Sequence, residues 1–294
     1  MTDPANVIVA TRFAFDAAAL FLWGAGFFLW LLVPLEWGMT VWRRLRPGRM
    51  LALAGLMLAT AAALPARTAM LGDGWSSILD GALVQALLGS TNIGTAWLVQ
   101  AAAAAALAAA VLAGRDTPAV TALCAALLLA STVLTGHAAT YDGWLGIVHQ
   151  AGTVTHLWSA GAWVGALVPV LVILPLATDP HGEATAGRAL IRFSNMGHVA
   201  VALAVVSGMA NTLLIVGGLP TDTRSTYQML LLVKMAVVAA MVGLAVVNRY
   251  VLVPRLGRWM GAPQALVAGT LAELVLATIA IGLVAWFGTL QPAQ

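Results

Sequence analysis

Apolar residues run along this chain in long blocks, interrupted by short clusters of charge, glycine and proline. Reading the interruptions as boundaries predicts eight spans, approximately Ala14 to Leu35, Met50 to Leu71, Ile93 to Ala113, Ala119 to Ala139, Leu145 to Leu176, Met196 to Gly217, Gln228 to Leu252 and Ala265 to Thr289. Each approaches or exceeds the roughly 20 apolar residues a helix needs to cross a hydrocarbon core of about 30 Å. In lipid the backbone must satisfy its own hydrogen bonds. The blocks lack the alternating segments of about ten residues that build a membrane barrel. The predicted fold is therefore all-α, a polytopic membrane bundle forming one transmembrane domain over residues 1–294.

Composition agrees. Residues are 61% hydrophobic and only 9% charged, where soluble domains carry about 25% charge. The charges also sort by side. Loops after the first, third, fifth and seventh spans hold Arg43, Arg44, Arg46, Arg49, Arg115, Arg188, Arg192, Arg249, Arg255 and Arg258, ten of the 14 positive residues. The other side holds Arg12 and Arg224 with Asp3, Asp16, Asp73, Asp80, Asp142 and Asp222. The positive-inside rule makes the arginine-rich loops cytoplasmic and puts both termini outside, as an even span number requires. Trp37, Trp42 and Trp259 mark the inner boundary, and Trp75, Trp144 and Trp286 the outer one. The first ten residues lack a basic cluster, so the first block is expected to remain as a span.

These features exclude several functions. Nucleic acid is not an expected partner. The single cysteine, Cys124, allows no intrachain disulfide and no CxxC motif. There is no G-x-x-x-x-G-K-[ST] sequence for a primary pump and no H-E-x-x-H for metal hydrolysis. No internal repeat suggests inverted transporter halves, and no enzymatic activity is expected.

Chemistry is biased towards the later part of the chain, since all five histidines lie after residue 136. His137 ends the fourth span, and a short loop leads into the fifth, bringing His137 and His149 to one membrane face. His156 follows seven residues after His149, within about 20° of the same direction and about 10.5 Å further along a helix. Trp163 continues the stripe, with the small residues Gly152 and Ser159 or Ala160 beside it. A metal–imidazole bond is about 2 Å, so one unbroken helix cannot bring both rings to one ion. Either the helix breaks near Gly152, or there are two stations, one at the mouth with His137 and His149 and a deeper one with His156. Two stations is the favoured reading. The plain alternative is that each histidine only bonds a neighbouring helix or reaches the interface; His181 and His198 are read that way.

Imidazole accepts several transition metals, and thioether sulfur favours Cu(I). Met70, Met209, Met229 and Met235 fall in the outer halves of their spans, which leans towards copper, although any one methionine in lipid is ordinarily core filler. Arg67, Lys234 and Glu273 lie inside spans, where a charge demands a partner or a wet cavity. Arg67 is expected to pair with Asp16 or reach the interface. Lys234 and Glu273 are close enough in depth for extended side chains to approach. An ion pair that fixes packing and a role in ion or proton movement are equally open.

The stretch His149-Gln-Ala-Gly-Thr-Val-Thr-His156-Leu-Trp-Ser-Ala-Gly-Ala-Trp163-Val-Gly165, preceded by Gly136-His137-Ala138, resembles the copper-resistance D (CopD/PcoD) family of inner-membrane proteins. Arg192-Phe193-Ser194, Ser207-Gly208-Met209-Ala210-Asn211, Leu232-Val233-Lys234, and Asn248-Arg249 before Pro254-Arg255 resemble later blocks of that family. The resemblance places a copper core at about 136–255. It implies copper movement from periplasm to cytoplasm, with a periplasmic copper-binding protein of the CopC type as a separate partner. On it His137, His149 and His156 are copper ligands, and Lys234 and Asn248 are family-pattern residues of unassigned role. From their places in the spans, Met209, Met229, Met235, Lys234 and Glu273 are further pathway candidates. Two other functions remain open, a b-type haem redox protein and a non-transporting partner that docks a copper chaperone or senses metal.

Overall fold

The computed structural model describes residues 3–135, 143–175, 183–256 and 259–291. Among these the chain forms ten α-helices and no strand: α1 (Pro4–Leu31), α2 (Leu35–Arg44), α3 (Arg46–Leu71), α4 (Gly81–Ser90), α5 (Asn92–Leu112), α6 (Pro118–Ser131), α7 (Gly143–Ile173), α8 (Glu183–Val216), α9 (Thr226–Val247) and α10 (Ala262–Phe287). Seven of them, all but α2, α4 and α6, are long and apolar enough to cross a membrane. The eighth predicted span corresponds to α6 and its 3-10 extension, Pro118–Leu134, which is shorter. The predicted end of that span, Ala139, lies outside the described residues. This is a helical membrane bundle.

Local chemistry sets the helix starts. Asp3 accepts from the Ala5 N–H and Pro4 occupies the first turn, so α1 begins well before Ala14, where hydrophobicity alone placed it. Asp80, Thr91, Thr117 and Ser225 cap α4, α5, α6 and α9 in the same way. Two helices fall where the sequence predicts loops, because neither is long enough to cross. The first, α2, starts at Pro34 and buries Val41 and Trp42; the second is the ten-residue α4. At its far end α9 loosens into a π-helical turn at Asn248–Leu252 and a 3-10 turn at Val253–Arg255.

The central helix is α1, which packs against α3, α6, α7 and α10. Its contact with α7 is backbone on backbone. A Cβ added at Gly24 would lie 2.0 Å from the Gly161 carbonyl oxygen, and one at Gly165 would lie 2.3 Å from the Leu20 oxygen. Between helices in lipid, such small residues supply the close packing that a hydrophobic driving force supplies in water. One layer further along, Gly26 meets the Pro118 oxygen of α6 in the same manner.

The first turns of α1 and the end of α10 meet at one end of the bundle, where Arg12 Nη1 donates to the Gly288 oxygen at 2.9 Å. At the opposite, arginine-rich end, Arg192 donates to the Leu32 oxygen at 3.3 Å. A buried ion pair there joins Arg49 of α3 to Asp116 before α6. Arg49 Nε also donates to the Trp42 oxygen at 3.2 Å, its guanidinium stacks 3.8 Å from the Trp42 ring, and the Trp42 indole donates to the Asp116 oxygen. Thr121 completes the knot by donating to the Asp116 carboxylate. Removing one partner strands the other charge, at a cost of about 3–5 kcal/mol. Asp116→Ala is therefore expected to lower thermal stability in detergent sharply, while Arg115→Ala, beside it but outside the knot, leaves it near wild type.

Candidate functional site

A cavity of about 530 Å³ occupies the terminal end of the bundle. Its walls include α1 through Arg12 and Asp16, α3 through Arg67, α7 through His149 and His156, α8 through Asn211, and α9 through Lys234. The end of α10, the start of α5 and the turn after α6 complete the lining.

The helix that carries the histidines is continuous. α7 runs from Gly143 to Ile173 without interruption at Gly152, so the choice left open by the sequence falls to two separated positions, about 10.5 Å apart along one stripe. No cluster of three or more His, Cys, Asp or Glu side chains suited to one metal ion occurs among the described residues. His137, the expected companion of His149 at the mouth, lies outside the described residues, as does His181.

His149 is 1% exposed and lies at the cavity wall. His156, one stripe position deeper, is oriented by α8. Its Nδ1 lies 2.9 Å from the Ala204 carbonyl oxygen. A carbonyl can only accept, so Nδ1 carries the proton and Nε2 keeps its lone pair for a ligand. This arrangement, one ring nitrogen held by a backbone carbonyl and the other available, is how proteins orient metal-binding imidazoles. Gly208 makes room for the ring: a Cβ there would meet His156 Cε1 at 2.9 Å.

Between the two histidines sits a residue that the functional reading of the sequence had passed over. Asn211 faces Gly152, whose added Cβ would lie 3.2 Å from Asn211 Oδ1. That oxygen is buried and has no hydrogen-bond partner among the described residues. Its signal in the sequence was the pairing of Gly152, midway between the histidines, with the Ser207–Asn211 block. Only the α7–α8 packing brings the two together.

The other candidates are placed as follows. Lys234 lines the cavity that His156 also lines, with Nζ 6.0 Å from the Phe287 ring centroid. Glu273 is elsewhere, buried among α7, α9 and α10, where it accepts from Asn248 Nδ2 at 2.6 Å and pairs with the Trp163 side chain. Lys234 and Glu273 form no ion pair, because Lys234 faces the histidine cavity and Glu273 faces Asn248. Arg67 likewise does not pair with Asp16; Arg12 does so, at 3.9 Å, from one turn earlier on the same helix. Met209 and Met229 are 38% and 49% exposed on the outside of the bundle and do not line the cavity. Met209 follows Gly208, and the roughly 100° turn per residue carries it away from the face that meets His156. Met235 packs against the Tyr227, Leu231 and Phe287 cluster. Met70 alone of the four methionines lines the cavity. His198 uses both ring nitrogens, one towards the Ser194 oxygen at 2.7 Å and one towards the Tyr250 hydroxyl at 2.8 Å, so it is a packing residue.

The chain is 34% identical to "Copper resistance protein D" of Pseudomonas syringae pv. tomato over 99% of its own length and 98% of that protein's. It belongs to the copper resistance protein D family. Residues 1–147 match the family description "Copper resistance protein D-like, N-terminal domain", and residues 187–287 match "Copper resistance protein D". Other relatives are "Inner membrane protein YebZ" of Escherichia coli K12, 32% identical over 84% of this chain and 85% of that protein, and "Copper transport protein CutJ" of Bacillus subtilis, 28% identical over 67% of this chain and 38% of that protein. No solved structure matches. His149 and His156 fall between the two matched segments. Membership in the copper resistance protein D family gives the chain a copper-related membrane function.

Proposed function

We propose that this protein is a copper permease of the bacterial inner membrane and not an enzyme. It takes copper at the terminal end of the bundle, which faces the periplasm, and passes it inward. The observation that carries this reading is the placement of His149 and His156 on one wall of a single large cavity, at a spacing that forbids a shared ion. A pathway needs sites strong enough to capture and weak enough to release. Two separate stations with few ligands meet that need, and one closed cage does not. His149 is the entry station, to which the family resemblance also assigns His137; His156 is the second; and the Asn211 oxygen lies between them. Met209, Met229 and Met235 are left out of this pathway.

The topology supports the direction. The start of α1 and the end of α10 share the end that holds the cavity, while Arg49, Arg192 and Arg255 lie at the other, which is the cytoplasmic end under the positive-inside rule. The relatives named for copper resistance, copper transport and the inner membrane support cargo and location. Delivery by a separate periplasmic copper-binding protein of the CopC type suits a cavity at that end.

The test is metal content and an optical spectrum of the detergent-purified protein. Copper is expected to bind with no Soret band, and His149→Ala with His156→Ala should remove most of it. A Soret band would transfer the histidines to haem. The geometry does not favour haem, because no histidine from a helix other than α7 lines the cavity among the described residues. Copper binding without flux in proteoliposomes would make the protein a docking or sensing partner instead.

A further inference from the structure

Among the described residues, the charge lining this cavity is of the wrong sign for a bare metal cation. Among the described residues its walls carry Arg12, Arg67 and Lys234 against one carboxylate, Asp16. Asp16 is already engaged by Arg12. Arg67 and Lys234 have no ion pair among the described residues. Lys234 also shares the cavity with His156, where copper is proposed to bind. Positive groups held at membrane depth require a counter-charge or a wet cavity. A cuprous or cupric ion entering alone would add repulsion.

We propose that the cavity holds a small monovalent anion, a halide or a carboxylate, against Arg67 and Lys234, and that copper enters accompanied by it. Arginine offers a planar fork of donors and lysine a compact charge, so the two suit a small anion approached from different walls, α3 and α9. The anion offsets both the fixed cations and the incoming metal, which lets His149 and His156 act as neutral ligands in a cavity that would otherwise reject their cargo. The accompanying role rests on the copper permease reading; the anion site itself does not.

The anion site is testable without copper. Chloride-35 NMR line width is measured on copper-free, delipidated protein in detergent, with acetate as competitor. Saturable broadening that acetate removes is expected. Arg67→Gln and Lys234→Gln should each weaken it by about tenfold, the loss of one charged hydrogen bond, while Arg67→Lys and Lys234→Arg retain it. Retention in the lysine and arginine exchanges separates lost charge from lost folding. Broadening unchanged in the double glutamine variant would overturn the proposal. So would a signal displaced by phosphatidylglycerol but not by acetate, which would make the anion a lipid phosphate. His149→Ala with His156→Ala should leave the chloride signal intact. If wild-type protein bound chloride but no copper, the permease reading would fail and the anion site would stand; the reverse would remove the anion site alone.

Discussion

Cells producing the His156→Ala protein are expected to accumulate copper at about a tenth of the wild-type level or less, with the same amount of protein in the membrane. The expectation comes from ligand number. Altering even an outer partner of a metal ligand costs about 10–100-fold in affinity, and a station with two or three donors has none to spare. The ring also ties α7 to α8 through the Ala204 oxygen, so loss of packing has to be separated from loss of the ligand. His156→Asn does this. An asparagine amide can still donate to Ala204 but places no nitrogen where Nε2 lies. If His156→Asn inserts normally and transports no copper, the distal nitrogen is the functional atom. Uptake at the wild-type level in both variants would remove His156 from the pathway and leave the two-station scheme without its inner member.

Gly165→Leu is expected to abolish assembly of the bundle. The α1–α7 contact brings the Gly165 Cβ position within 2.3 Å of the Leu20 oxygen and 2.9 Å of the Gly24 Cα. Both are backbone atoms that no rotamer change can move. A leucine there must push α1 away from α7. The displacement would open the layers formed by Ala25, Phe28 and Leu29 against Ala166, Val170 and Ile173. The protein should appear at low abundance and be digested readily by protease in membrane vesicles. Gly187→Leu, at a glycine with open space around it, should be tolerated. A Gly165→Leu protein that is abundant and protease-resistant would show that the two helices can separate without loss of the fold.

The eight predicted segments largely recovered the helices because the cost of exposing peptide groups to lipid forces long apolar runs into helical form. The misses share a cause. α2 and α4 are too short to register as spans, and the start of α1 depends on the Asp3–Pro4 cap, where hydropathy has no signal. The candidate site was legible to a similar degree. The seven-residue step from His149 to His156 predicted one stripe, and both rings do line one cavity. Depth along separate helices was the weak inference. It suggested that Lys234 could approach Glu273, whereas the direction each helix faces sends Lys234 to the histidine cavity and Glu273 to Asn248. The methionines illustrate the same gap, since an outer-half position fixes height in the membrane but not azimuth.

By itself, then, the sequence determined that this is a helical membrane protein of the copper resistance type with imidazoles on one stripe of one helix. Hydrophobic length and residue spacing are local properties, and both are written directly in the chain. Only the tertiary structure decided that α7 stays unbroken between the histidines, that Ala204 and Gly208 of α8 fix the deeper ring, that Asn211 lies between them, and that Arg67 and Lys234 share their cavity. Those facts depend on how helices rotate about their own axes as they pack. That rotation is set by contacts such as Gly24 against Gly161, between residues far apart in the chain, and no local pattern encodes it.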